Sequence, residues 1–166
     1  MVTNLLLLAD SHVPTRARRL PDAVLDAVDR ADVVVHAGDW TDLATLTMLE
    51  SRASRLYGVW GNNDGPELRA RLPEVARFEV EGVTLAAVHE TGPARGREER
   101  MDSEFPDADV LVFGHSHIPW DTVSPAGMRL LNPGSPTDRR RQSVCTMMRA
   151  VVDGDRIEVE LVPVSR

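Results

Sequence analysis

Asn4-Leu5-Leu6-Leu7-Leu8-Ala9-Asp10-Ser11-His12 decides the fold. Leu5 to Ala9 is apolar throughout, with no polar alternation, which describes a strand buried on both faces. The run stops on Asp10 and His12, two side chains that can ligate a metal or move a proton. A covered strand that delivers polar groups from its carboxyl end belongs in an open α/β sheet. The crevice beyond such strand ends is the usual ligand site.

Working outward, Pro21–Asp29 spaces Ala23, Val24, Ala27 and Val28 along one helical face, with Pro21 suited to the first turn. Val33–His36 is a second apolar run, closed by Gly38. Thr41 or Asp42 is placed to cap a helix running to about Arg52, and Arg55–Val59 reads as a third strand. Strand, helix, strand, helix, strand at this spacing predicts a parallel βαβ arrangement. The second half reads differently. Val75–Val80 and Val83–Val88 flank the turn Glu81-Gly82, and Val110–Phe113 is another buried strand. Thr122–Ser124 and Met128–Leu131 flank Pro125-Ala126-Gly127, while Ser143–Val152 and Arg156–Val162 flank Asp153-Gly154-Asp155. Two packed sheets with helices outside is the economical way to bury these elements, as a single domain over residues 1–166.

The composition sets limits on function. With 42% hydrophobic and 27% charged residues, the chain is of globular type rather than disordered or collagen-like. Cys145 is the single cysteine, so no internal disulfide can form and a cytoplasmic location is expected. No apolar run approaches the roughly 18 residues of a membrane span, so no membrane partner is expected. The net charge of −7 disfavours long nucleic acid as a partner, despite Arg139-Arg140-Arg141. All 19 basic residues are arginine, which excludes a Schiff-base or P-loop lysine.

The chemistry collects at strand ends. Asp10-Ser11-His12, Gly38-Asp39, Gly61-Asn62-Asn63-Asp64, His89 and Gly114-His115-Ser116-His117 each follow an apolar run. In extended chain, residues i and i+2 project to one side, so Asp10 and His12 can reach one point, as can His115 and His117. Glycines 38, 61 and 114 let the backbone turn beside it. Taken singly, Asp10 reads as a helix cap and Asp39 or Asp64 as turn residues. Together they form a set too polar to bury without a cation, and mixed nitrogen and oxygen donors suit Mn, Fe, Co, Ni or Zn better than Mg or Ca. His36 lies inside its strand and reads as a packed structural histidine. Trp40 and Trp60 flank these motifs and read as core packing or cleft lining.

This series resembles the calcineurin-like metallophosphoesterase superfamily. The short chain and Leu131-Asn132-Pro133-Gly134-Ser135 bring it close to the small YfcE-type bacterial and archaeal phosphodiesterases. The resemblance implies a four-layered α-β-β-α sandwich of two mixed sheets and a metal-dependent phosphodiesterase acting on a small phosphodiester. It implies two divalent ions, manganese first, with Fe, Ni, Co or Zn as alternatives. Asp10, His12 and His117 would hold one ion, and Asn62, His89 and His115 the other. Asp39 would bridge them, and a hydroxide shared by the ions would be the nucleophile. The catalytic set implied is Asp39, Asn62 and Asn63. Relatives of this kind are often dimers or tetramers, so a homo-oligomer is expected.

Asn62 offers a neutral carbonyl, a weak ligand, so its ion should be held less tightly. Many superfamily members carry histidine at the Asn63 position, as the acid that protonates the leaving group; asparagine cannot do this. Glu90 stands where glycine is common; it can touch the site or face solvent, and solvent is the expectation. The segment Gly92–Phe105 leaves little material for a substrate-capping domain. Two other readings share the fold. One is a protein-interaction scaffold like the retromer subunit Vps29, which ligand replacement would favour. The other is a nuclease, which the acidic charge disfavours.

Overall fold

A computed structural model describes residues 1–165. In chain order the elements are β1 (Val2–Leu8), α1 (Asp22–Arg30), β2 (Val33–His36), α2 (Leu43–Arg52), β3 (Leu56–Gly58), α3 (Pro66–Arg71), β4 (Val75–Val80), β5 (Val83–Val88), α4 (Arg97–Glu104), β6 (Val110–Val112), β7 (Trp120–Val123), β8 (Arg129–Asn132), β9 (Cys145–Asp153) and β10 (Arg156–Val164).

The strands form two five-stranded mixed sheets, β10-β9-β1-β2-β3 and β4-β5-β6-β8-β7. β1, β2 and β3 are parallel, with Leu5 beside Val33 and Val34 beside Leu56, while β9 joins β1 antiparallel. The leucine run explains the layering. Leu5 and Leu7 point between the sheets, against a core that includes Phe78, Leu85, Val112 and Leu131. Leu6 and Leu8 point outward, onto Val24 and Val28 of α1 and Leu46 and Leu49 of α2. Each fully buried leucine contributes about 1.5–3 kcal/mol relative to exposure. On the far side, Met101 of α4 and Phe105 cover Leu111 and Leu130 of the second sheet and Phe113 just past β6. The result is the expected α-β-β-α sandwich. Among the described residues, no helix is long and apolar enough to cross a membrane.

The departures from expectation are local. Pro21 sits outside α1 at its N-cap, and α1 runs one residue further, to Arg30. Asp42, rather than Thr41, caps α2, its carboxylate accepting from the Thr45 N–H at 2.9 Å. β7 and β8 are displaced from the expected hairpin strands because Ser124 belongs to the turn. Its hydroxyl accepts from the Met128 N–H and donates to Asp102. Helices α3 and α4 were not anticipated. α4 buries Met101 and Arg97, and the Arg97 guanidinium lies 4.7 Å from the Phe113 ring and 4.5 Å from the Trp120 ring.

Candidate metal centre

The carboxyl ends of parallel strands from both sheets open on one edge of the sandwich. β1 delivers Asp10 and His12, β2 delivers Asp39, and the turn after β3 delivers Asn62 and Asn63. β5 delivers His89, and β6, parallel to it, delivers His115 and His117. The Asp10 carboxylate ties the two sheets together, its Oδ2 accepting the His115 N–H at 2.9 Å.

The local backbone differs from the extended chain expected for Asp10–His12 and His115–His117. Asp10, His12, Asp39, His115 and His117 all have positive φ, from 44° to 76°. Left-handed turns, rather than strand alternation, aim these side chains inward. Each such residue costs about 1–3 kcal/mol and persists only where its surroundings fix it. Here the Asp10 N–H donates to Gly38 O at 2.9 Å and the His12 N–H to Asp39 O at 3.1 Å. Gly61 and Gly114 serve by their lack of a side chain rather than by a positive φ. A Cβ on Gly61 would lie 2.2 Å from Asp39 Oδ1, and one on Gly114 would lie 2.9 Å from Asp10 Oδ2.

All seven expected ligand residues come together. Asp10 Oδ1 lies 3.8 Å from His12 Nε2, 3.8 Å from His89 Nε2 and 3.7 Å from His117 Nε2. Asp39 Oδ2 lies 3.3 Å from His12 Nε2 and 3.4 Å from His89 Nε2. Asn62 Oδ1 lies 3.0 Å from His89 Nε2 and 3.1 Å from His115 Nδ1. Asp10, His12 and His117 offer ligand atoms within 4.8 Å of one another, and so do Asp10, Asp39 and His89. Asp10 is thus more central than its expected place in one ligand group. Asp10 Oδ1, His12 Nε2 and His117 Nε2 are buried with no hydrogen-bond partner among the described residues. An orphaned carboxylate oxygen facing orphaned imidazole nitrogens is a donor set that fits a divalent cation.

The electrostatics agree. Burial opposes charge on His12, but Asp10 and Asp39 outweigh it and raise the ring to about 9. Burial likewise opposes charge on His89, and Asp39 and Asp10 raise it. Burial would raise Asp39, yet His12 and His89 hold it well below the usual carboxylate range. His117 goes the other way, lowered because burial outweighs the pull of Asp10. Protons on His12 and His89 compete with any cation for the same lone pairs.

Several residues of the quoted motifs, and Thr137 beyond them, turn out to position the site rather than to ligate. Asp64 ties two loops together, accepting the N–H groups of Asp39 at 2.9 Å, Gly61 at 2.7 Å and Thr41 at 2.8 Å. Ser135 donates to Asp10 O, Thr137 to Ser11 O, and Asn132 to Gly114 O. The Asn132–Ser135 segment therefore clamps the first and last ligand loops. His36 is structural, as expected. Its Nδ1 accepts the Gly38 N–H, so Nε2 carries the proton and donates to Ser11 Oγ at 2.9 Å. Its ring stacks on Trp40 at 3.7 Å, and burial pushes it down to about 3. Trp40 is core, its indole N–H donating to Val59 O. Glu90 is exposed, as expected, and also reaches the rim of the site, with Oε1 3.7 Å from His115 Nε2. A separate groove of about 520 Å³, between α1 and β9–β10, presents none of the histidines.

The profile of the calcineurin-like phosphoesterase superfamily domain matches residues 4–155. A protein of Methanothermobacter thermautotrophicus, named a probable metallophosphoesterase, is 34% identical over 158 residues, covering 94% of this chain and 90% of its own. A Thermotoga maritima protein solved by NMR superposes with a TM-score of 0.78 at 36% identity, covering 98% of this chain and 99% of its own. Chaetomium thermophilum Vps29 superposes with a TM-score of 0.79 at 20% identity, covering 99% of each chain, a likeness of fold alone.

Proposed function

Because the chain belongs to the calcineurin-like phosphoesterase superfamily, we propose that it is a metal-dependent phosphodiesterase hydrolysing a small phosphodiester. The observation that carries this reading is the buried convergence of Asp10 Oδ1, His12 Nε2 and His117 Nε2 without hydrogen-bond partners. Beside it lies a second convergence, of Asn62 Oδ1 with His89 and His115. Asp10, His12 and His117 would hold one divalent ion. Asn62, His89 and His115 would hold the other, with Asp39 between them. Bound there, two such ions would supply Lewis acidity toward the phosphoryl oxygens and an ionised water as nucleophile.

The chain's own residues do the positioning. Asp39 has two carboxylate oxygens and stands between His12 and His89, so one anion serves both halves of the site. His89 directs Nδ1 at Ala37 O at 2.8 Å, and His117 directs Nδ1 at Asp138 O at 2.8 Å. Each carbonyl fixes a proton on the outer nitrogen and leaves Nε2 free for a cation. Asp64, Ser135 and Thr137 hold the loops that carry these groups. Asn62 and Asn63 stand exposed at the open side, where a phosphodiester can approach. Asn63 has no proton to give a leaving group. A scaffold reading would favour ligand replacement, yet every ligand position holds a competent donor.

Manganese as the native metal, a dimeric or tetrameric state and a single domain over residues 1–166 belong to the same proposal. So does a cytoplasmic location, supported by the lone, buried Cys145. The test is metal analysis followed by a phosphodiester panel with added Mn²⁺. Turnover of bis-p-nitrophenyl phosphate is expected. Metal-loaded protein that hydrolyses no diester would overturn the reading.

A further inference from the structure

We propose that Glu90 is the positioning residue of His115, fixing the ring so that Nδ1 faces the Asn62–His89 side of the centre. The inference rests on the ligand assignment above and extends it to a residue outside the ligand set.

The first argument is a pattern among the histidines. His89 and His117 each turn Nε2 inward and direct Nδ1 at a backbone carbonyl, Ala37 O and Asp138 O respectively. His115 is turned the other way. Its Nδ1 faces Asn62 Oδ1 at 3.1 Å and its Nε2 points outward. The group that meets that outer nitrogen is the Glu90 carboxylate, Oε1 at 3.7 Å. For Nδ1 to offer a lone pair inward, the neutral ring must carry its proton on Nε2. A carboxylate on that side favours this tautomer, as outer partners of ligand histidines generally do.

The second argument is exposure. Asp10, His12, His89 and His117 are buried and packed on several sides, whereas the His115 side chain is 43% exposed. Packing therefore holds this ring less firmly than the others, and a polar partner has more to contribute.

The third argument is that the segment following Glu90 is fastened. Arg100 donates to Thr91 O from Nε at 3.0 Å and from one terminal nitrogen at 2.7 Å, and that nitrogen also reaches Pro93 O. Arg97 donates from Nε to Thr91 Oγ1 at 2.8 Å. On the other side, His89 is held by its own bond to Ala37 O. Glu90 thus extends from a short stretch fixed at both ends, and the charged face of α4 gains a role in the site.

The experiment titrates Mn²⁺ into the full chain by calorimetry, comparing wild type, Glu90→Gln and Glu90→Ala. Anomalous scattering assigns each ion. Glu90→Ala should weaken the ion on the Asn62–His89–His115 side by about 10–100-fold and leave the other nearly unchanged. Glu90→Gln, which keeps an acceptor oxygen at the same reach, should recover most of the loss. Unchanged affinity in Glu90→Ala overturns the inference. So does an equal loss at both ions, or a fall in the melting temperature of the metal-free protein, since each would make Glu90 a fold residue. A single ion in wild type would instead overturn the two-ion reading. Glu90 is then judged on crystal structures of the metal-free variants. The His115 ring should keep Nδ1 toward Asn62 in wild type and Glu90→Gln and take alternate rotamers in Glu90→Ala. An unchanged ring in all three would overturn the inference.

Discussion

Asn63 grips the Asp39 carboxylate at both oxygens: its backbone N–H donates to Oδ1 at 2.9 Å and its side-chain amide to Oδ2 at 2.8 Å. Two donors from one residue fix the plane of the carboxylate. That plane keeps Oδ2 toward His12 and His89. The residue at the position of the absent acid histidine is therefore a clamp on the central anion.

Asp39→Asn removes the anion and keeps the shape. Two raised histidines would lose their shared partner, and the two proposed ions their shared ligand. Loss of nearly all turnover, or of both ions by metal analysis, is expected. The loss should exceed that of Asn62→Ala, which removes one neutral ligand. Hydrolysis by Asp39→Asn near the wild-type rate would exclude a bridging role.

Gly61→Ala tests the close approach of backbone to that carboxylate. The added methyl would lie 2.2 Å from Asp39 Oδ1, so either the anion or the loop must move. Gly65→Ala is the matched control, because a Cβ there meets nothing within 4 Å. Metal content and turnover should collapse in the first variant and persist in the second. Equal behaviour of the two would mean that the loop adapts without moving Asp39.

Metal uptake should release protons. The metal-free His12 sits at about 9, above its ordinary 6.5, and is protonated at pH 7.5. A cation needs the neutral ring. Titrations at pH 7.5 in buffers of different ionisation enthalpy should show at least one proton released per chain, and affinity should rise with pH up to about 9. The same shift stabilises the metal-free fold fully below about 6.5 and is lost as pH rises through about 9. Metal-free protein should therefore lose melting temperature over that window, while metal-loaded protein should not. A pH-independent affinity would show that His12 carries no extra proton in the metal-free protein.

His36 has the opposite sign. Its folded value of about 3 lies below the ordinary 6.5, so between these limits the unfolded chain binds a proton that the fold does not. Stability should fall with acid through that window, at up to about 1.4 kcal/mol per pH unit. His36→Gln should be less stable at neutral pH but flatter in its acid dependence. Denaturant titrations of metal-free protein at several pH values would show this. Parallel acid limbs in both proteins would assign the loss to other groups.

Much of this could be read from one chain, for identifiable reasons. Leu5–Leu8 has no polar break, so only a doubly covered strand accommodates it, and the stripe of Val24, Ala27 and Val28 matches one helical face. The ligands stood out because they end apolar runs. Helix α4 stayed hidden because Met101 is its one buried apolar residue and Arg97 replaces the rest of a stripe. The left-handed backbone at Asp10, His12, Asp39, His115 and His117 stayed hidden because bonds to distant residues impose it. The clamp from Ser135 to Asp10 spans 125 residues, and no local pattern marks it. Glu90 faces solvent as its position implies, and its contact with His115 was not legible because a long side chain at a rim can be exposed and still reach a neighbour.

Leaving-group dependence follows from Asn63. An alkoxide leaving group needs a proton in the transition state, and general-acid assistance is worth about 10²–10⁴-fold. A carboxamide supplies none, and this one is engaged with Asp39. A nitrophenolate departs without help, so bis-p-nitrophenyl phosphate should be cleaved readily and unactivated alkyl diesters slowly. Aryl diesters with leaving groups of graded pKa should show a steep dependence in wild type. Asn63→His keeps the backbone N–H bond to Asp39 and adds an acid, so its dependence should flatten. Glu90→Ala separates this from the neighbouring carboxylate: if Glu90 acts only through His115, the slope should stay steep while metal affinity falls. A flat dependence in wild type would show that another group donates the proton, and that residue 63 is not where an acid is missing.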